Sequence, residues 1–465
     1  METTQIERMT AALSELRAKR PLGRISSVGS GIVTVSGLDD TASIGDVVRV
    51  RGAHGGVKGD VIRISGRDVQ VLLEGSDDGL VLGDPVALLP RQRFAPDSSW
   101  IGRVVDPDGK PLDGRPLLPG LVAGQLRADP PAPQTRRPLG ARLQTGLAVF
   151  DTLLPIVRGQ RIGLFAGSGV GKSTLLGDLA RGASADVIVI GLVGERGREL
   201  RHFIEEVLGE AGMSRTVIVA ATSDRAPQLR RRCAWAATAV AEHFRDQGRH
   251  VLLLLDSVTR FAEAHREVAT TAGEAAALRG YPASTGPAIA ALSERAGPGG
   301  DKMGDITAIY TVLVAGSDME EPVADMLRGV LDGHVVLDRT IAERGRFPAI
   351  DLLRSVSRSL PAAASDAENR MIAEARALLG AYDRAEMMIQ AGLYTGGSDP
   401  TIDAAIACNA ALERFLALRT KGGAAEGFAA LGQALELARP VTRTAQQNQA
   451  SAKQPGRRLQ QGQRN

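Results

Sequence analysis

Apolar residues recur at Ile6, Met9, Leu13 and Leu16, in steps of three and four that lay one stripe along a short helix, and Thr4 with Glu7 forms a capping box at its start. A helix this short is marginal alone, so it docks either on its own body or on another chain. From Gly23 to Pro90 the pattern changes to short β-rich pieces, Gly31–Val35, Val47–Val50, Val61–Ile64 and Val69–Leu73, separated by Gly, Asp and Ser. That spacing predicts a small β-barrel. A Pro-rich stretch from Pro111 to Pro138 reads as a connector. Beyond it, apolar runs at Ile162–Phe165, Val187–Ile190, Val217–Ala220, Val251–Leu255 and Ile306–Val314 alternate with helical segments, the signature of a mostly parallel sheet with helices on its faces. After Pro361 the chain is Ala- and Leu-rich with helical spacing (Met371–Leu379, Ala385–Ile389, Ile402–Leu418), and the residues after Pro440 have nothing to bury. The expected organisation is therefore multidomain: a helix over 1–20, a β-barrel over 21–93, an α/β domain over 94–360, a helical domain over 361–439 and a solvated basic tail over 440–465.

Composition narrows the function. The 465 residues carry 43% hydrophobic and 23% charged side chains, which excludes a largely disordered chain or a membrane channel. The net charge is +3, and five uncompensated cations, Arg443, Lys453, Arg457, Arg458 and Arg464, sit in the tail. The body is slightly acidic as a result, and no basic stripe marks a nucleic-acid surface. Aromatics are only 3%, too few for rows of base-stacking rings. The two cysteines, Cys233 and Cys408, form neither a zinc pattern nor a disulfide framework, which points to a reducing compartment. Charges interrupt the first twenty residues, and the longest apolar run is too short to span a bilayer, so a cytosolic protein is expected.

The chemistry concentrates in three places. Ala166 and then Gly167, Ser168, Gly169, Val170, Gly171, Lys172, Ser173 and Thr174 lie between an expected strand and an expected helix, and read as a P-loop whose first glycine is replaced by alanine. The glycines let backbone N–H groups converge on phosphate oxygens at a helix N-terminus; Lys172 neutralises the β- and γ-phosphates, and the Ser173 hydroxyl ligates Mg²⁺. Asp256, at the carboxyl end of the Val251–Leu255 run, is placed to hold the metal's water shell, as a Walker-B acid does. Glu195, in the Gly194–Glu199 segment, is the candidate to orient and deprotonate the attacking water. Glu199, one helical turn on, reaches the outer shell of the magnesium, and Arg196 holds Glu195 in place.

With these residues in view, the chain resembles the catalytic subunits of rotary ATPases and their relatives, the ATPases of flagellar and type III secretion export. Pro348 to Ser357, with Asp351, Ser355 and Ser357, fits the group's signature at every position. Arg161–Ser173, Arg279–Pro282, Ile306–Met319, Asp332–Arg339 and Ala342–Asp351 look like the flagellum-specific export branch, and the likeness covers about residues 20–435. The resemblance implies a barrel, a RecA-like P-loop ATPase domain and a helical C-terminal domain, six copies to a ring, with ATP and Mg²⁺ between subunits. It implies that Phe347 stacks on adenine and that Arg358 is the arginine finger reaching the neighbour's γ-phosphate. The implied partners are a stator-like regulator at the N-terminal helix, a stalk-like protein in the ring, chaperone–substrate complexes and the export gate, with the enzyme in the cytoplasm against the inner-membrane export apparatus. One segment departs from the pattern: Gly286 and Pro287 follow Tyr281–Ser284 where relatives have aromatic and cationic residues.

The expected function is ATP hydrolysis that energises flagellar-type protein export. A virulence-type secretion ATPase or a rotary synthase subunit is the nearest alternative. An RNA-dependent ring translocase would need aromatics and cations on the barrel, and residues 23–90 contain no aromatic side chain. A nucleotide-binding scaffold without turnover would not need the base, the metal acid and the finger together.

Overall fold

The structure, a computed structural model, describes residues 10, 20–52, 55–91, 93–314 and 319–439. The amphipathic stripe of the first twenty residues and the basic tail thus lie outside the described residues.

Six strands close the barrel: β1 (Leu22–Gly29), β2 (Ile32–Ser36), β3 (Val47–Gly52), β4 (Gly55–Ser65), β5 (Asp68–Leu73) and β6 (Pro85–Leu88), in the order β1-β2-β5-β4-β3-β6. Alternation along each strand sends Val33, Val35, Val48, Val50, Val69 and Val71 inward, all fully buried. Small β-branched side chains suit so narrow an interior, and closure leaves no strand edge open to pairing.

The connector leads into the α/β layer. Its strands are β7 (Val104–Val105), β8 (Arg161–Ala166), β9 (Val187–Glu195), β10 (Thr216–Thr222), β11 (Val251–Asp256), the short β12 (Gly297–Pro298) and β13 (Asp305–Leu313). The path β8-β13-β11-β9-β10-β7 is parallel throughout, and β12 pairs antiparallel with the start of β13. Every residue of β11 is buried, because helices cover both faces; this is why its sequence runs apolar rather than alternating. The helix Pro227–Asp246 packs its alanines and Phe244 against this sheet. Its Arg232 also ties the sheet layer to the barrel: one guanidinium nitrogen meets both Asp60 oxygens at 2.7 and 2.8 Å, and the other meets Asp108 at 2.7 Å. The barrel and these strands form one compact unit, Met1–Ala141 with Val157–His334.

The second unit joins Arg142–Ile156 to the chain from Val335 on. Here β14 (Gly333–Leu337) neighbours β15 (Ile350–Ser357), and three long helices follow, Asp366–Gln390, Pro400–Leu416 and Gly423–Glu436. Ser365 and Glu368 close a capping box at the first of them, and Asp399 caps the second. Asp151 accepts from the Thr145 hydroxyl and from Thr420, both at 2.8 Å, so the 142–156 segment is fastened to the end of the chain. The barrel, the nucleotide-binding α/β layer and the helical C-terminal segment expected from the pattern are all present. The first helix is longer than the pattern suggested: one continuous helix spans both Met371–Leu379 and Ala385–Ile389.

Candidate active site

Parallel strands end at one edge of their sheet, and the loops that leave that edge converge. Ala166 ends β8, Glu195 ends β9 and Asp256 ends β11, with β13 between β8 and β11. Three residues more than 80 positions apart at the extremes are thereby brought to one place.

The loop after Ala166 turns through Gly169 and Gly171, whose φ values of +77° and +85° are left-handed; a side chain at either position would be strained. Gly171 then caps the helix Lys172–Gly182, which opens without a side-chain cap, so the loop and first-turn N–H groups face outward as anion donors. Ser173 and Thr174 are exposed on that first turn, while Val170 is buried and anchors the loop. The Ala166 substitution costs nothing visible: it is an ordinary buried strand residue.

Lys172 Nζ bonds Asp256 Oδ1 and lies 3.7 Å from Glu195 Oε1. Asp256 is buried and also accepts from the Thr311 hydroxyl at 2.7 Å. Burial pushes the Glu195 carboxyl up to about 7, the Asp256 charge adds to this, and Lys172 opposes it. A carboxyl poised near neutrality is suited to taking a proton from water. Glu195 is itself the last residue of β9, five residues beyond the apolar run Val187–Ile190, and Gly194 before it adopts φ +71°. Arg196 is exposed and pairs with Glu199 at 2.9 Å, and Glu199 bonds Glu195; Arg196 thus reaches Glu195 through Glu199. Glu199 lies below the usual carboxylate range: burial raises it, and the bonds from Glu195 and Arg196 outweigh that.

Two further residues belong here that the motifs did not single out. Thr311 orients Asp256, and its signal was a hydroxyl inside the apolar run of β13. Arg260 sits in the first turn of the helix Val258–Thr271, bonded to Glu263 at 2.8 Å and within the fields of Glu195 and Asp256. A cation one turn after the Asp256 strand end was its signal.

The oxygen donors fit a magnesium ion. Ser173 offers a hydroxyl and Asp256 a carboxylate, hard ligands of the kind Mg²⁺ takes together with water and substrate phosphates, and among the described residues no cluster of three or more His, Cys, Asp or Glu forms a complete protein cage.

Phe347 and Arg358 lie in the second unit. Phe347 is half exposed at 51%, and Arg358 is exposed just past β15. The serines of the 348–357 signature are buried instead: Ser355 accepts from Val336 N at 3.0 Å, and Ser357 donates to Pro155 O at 2.6 Å. They fix the strand that carries Arg358. The departing segment at Gly286 and Pro287 begins the helix Thr285–Glu294, with Tyr281 under the Arg266 guanidinium.

Comparison with known proteins agrees with this architecture. The family model described as the ATP synthase alpha/beta family, nucleotide-binding domain, matches residues 146–357, and that of the T3SS EscN ATPase C-terminal domain matches 364–421. The flagellum-specific ATP synthase of Caulobacter vibrioides is 41% identical over 440 residues, covering 92% of this chain and 99% of its own. Among solved structures, the assembled ATPase EscN of the enteropathogenic E. coli type III secretion system superimposes with a TM-score of 0.81 at 36% identity, over 89% of this chain and all of that one. The same ATPase in complex with its central stalk EscO gives 0.80 at 38%, over 89% of this chain and 100% of that one.

Proposed function

We propose, from the premise that this chain belongs to the flagellum-specific ATP synthases and type III secretion ATPases of the ATP synthase alpha/beta family, that it is an ATPase whose hydrolysis drives flagellar-type protein export. The observation that carries the reading is the convergence of Lys172, Glu195 and Asp256 at the mouth of the P-loop.

Backbone N–H groups of 167–174 and the Lys172 ammonium would hold the triphosphate, and Ser173, Asp256 and Glu199 would hold the magnesium. Mg²⁺, when bound, neutralises charge on the β- and γ-phosphate oxygens. Glu195 takes the proton of the attacking water and orients its lone pair toward the γ-phosphorus. Phe347 gives adenine a ring to stack on. Arg358 of an adjoining copy supplies a second cation to the transferring phosphoryl group, so the working form is a ring, six copies in our reading.

A stalk-like partner follows from the relative solved with its central stalk. We assign the amphipathic segment of residues 1–20 to a stator-like regulator, and count chaperone–substrate complexes and the export gate at the membrane among the partners of a cytoplasmic enzyme. No described helix is long and apolar enough to cross a membrane, which suits a peripheral position. Phosphate release from ATP, compared with that of Lys172→Ala, tests the enzymatic core. Turnover by the natural chain that the variant lacks supports it, and equal rates refute it.

A further inference from the structure

Outside the P-loop, a cavity of about 710 Å³ opens between the barrel and the helices Pro227–Asp246 and Val258–Thr271. Its four arginines are matched in number by four acids, but they are not paired one to one. Arg232 is neutralised by Asp60 and Asp108, and Arg91 is paired with Asp46. Arg127 and Arg231 have no carboxylate within ion-pair distance among the described residues; both guanidiniums sit over one indole, that of Trp235, at 4.1 and 5.0 Å from its centroid. Two like charges gathered on one ring repel each other, and burial with that repulsion pushes the Arg231 guanidinium down to about 10. The Arg231 Nε is buried without a hydrogen-bond partner.

The same cavity holds an unused acceptor. Ser284 donates its hydroxyl proton to Glu274 at 2.6 Å, so at 2.8 Å its oxygen accepts from His265 Nε2–H. That fixes the His265 tautomer and leaves Nδ1 a bare acceptor, buried and without a partner. Gln228, almost fully buried, likewise has an unpaired Oε1 at this cavity. Buried polar atoms without partners are costly, and here three of them face one space, the Arg231 Nε and two acceptors wanting a donor, with the exposed Arg127 as a second cation beside them.

We propose that this cleft is a binding site for a small hydroxylated anion, whose phosphate or carboxylate group lies between Arg127 and Arg231 and whose hydroxyl donates to His265 Nδ1. The pairing is chemically complementary. Guanidiniums recognise planar or tetrahedral oxyanions through their forked N–H groups, and a neutral imidazole nitrogen selects a ligand with a donor. The site lies against the barrel, so an occupant would also bridge the barrel and the nucleotide-binding layer.

Calorimetric titration of the full chain, with its nucleotide site saturated by ADP, uses glycerol 3-phosphate and citrate as probes, one for each anionic group. Saturable one-to-one binding of either is expected, at least tenfold weaker in Arg231→Gln and in Arg127→Gln, and unchanged in Lys172→Ala. Basal ATP hydrolysis in the two arginine variants stays at the natural level, which also reports correct folding; Arg127 lies on an exposed connector, so its variant serves should Arg231→Gln fail to fold. Absence of saturable heat with both probes, equal affinity in the arginine variants, or loss of binding in Lys172→Ala would each overturn the proposal. So would binding that disappears on assembly, which would mean that an adjoining copy fills the cleft.

Discussion

Lys172 Nζ stands 3.7 Å from Glu195 Oε1 while bonded to Asp256, so one cation is shared by two acids, and the acid it serves less directly is the one raised toward neutrality. The sign follows directly. A base must be unprotonated to act, and the Glu195 carboxyl, pushed up to about 7 first by burial and then by Asp256, loses its proton only as pH rises through that value. We predict that kcat/KM climbs with pH below about 7, about tenfold per unit, and levels above it. A pH–rate profile flat from pH 5.5 to 8.5 would contradict the assignment.

Replacing Glu195 by Gln keeps the shape and removes the base. Hydrolysis should fall by about 10² to 10⁴-fold with nucleotide affinity retained, since general-base contributions have that size. Phosphate release and binding of a fluorescent ATP analogue, measured on the same preparation, separate the two. Loss of both together would mean that Glu195 is a folding residue.

Arg232 is the cation beneath three acids, with Asp60 and Asp108 in contact and Glu74 at 3.9 Å. Taking it away in Arg232→Met strands those carboxyls in a buried place, and breaking such a group by removing one partner costs about 3–5 kcal/mol. Urea unfolding should show that loss. A change under about 1 kcal/mol would show that water reaches the acids easily.

Cys233 is fully buried, and burial raises its thiol far above the ordinary range; Cys408 is buried and raised as well. Neither should react with a maleimide at pH 8 in the folded chain, and both should react in denaturant, as read by intact mass. Labelling of Cys233 in the folded protein would mean that the sheet layer opens on the timescale of the reaction, and labelling of Cys408 that the C-terminal helices do.

Much of this was legible in the residues because the physics is local. The barrel shows as period-two alternation, and the P-loop shows because its glycines must take left-handed φ at Gly169 and Gly171. What was not legible depends on distant partners. Nothing near Thr145 or Asp151 announces a bond to Thr420, so the packing of 142–156 with the end of the chain is invisible to periodicity. Arg196 looked like a clamp on Glu195, and only three-dimensional placement shows Glu199 between them. The pair of cations at Trp235 is hidden for the same reason: Arg127 and Arg231 are separated by more than a hundred residues and meet on one ring.

The central claim is that adjoining copies share each hydrolytic site, and mixing two inactive variants tests it most directly. Arg358→Ala subunits keep Glu195, and Glu195→Gln subunits keep Arg358. In a ring with head-to-tail interfaces, random equal mixing restores a complete pair at about one interface in four. Each variant alone should be nearly inactive, since a finger of this kind contributes about 10³ to 10⁵ in kcat. The mixture should recover a substantial fraction of natural phosphate release. A well-assembled mixture as inactive as its components, or a strictly monomeric chain that turns over at full rate, would contradict the account.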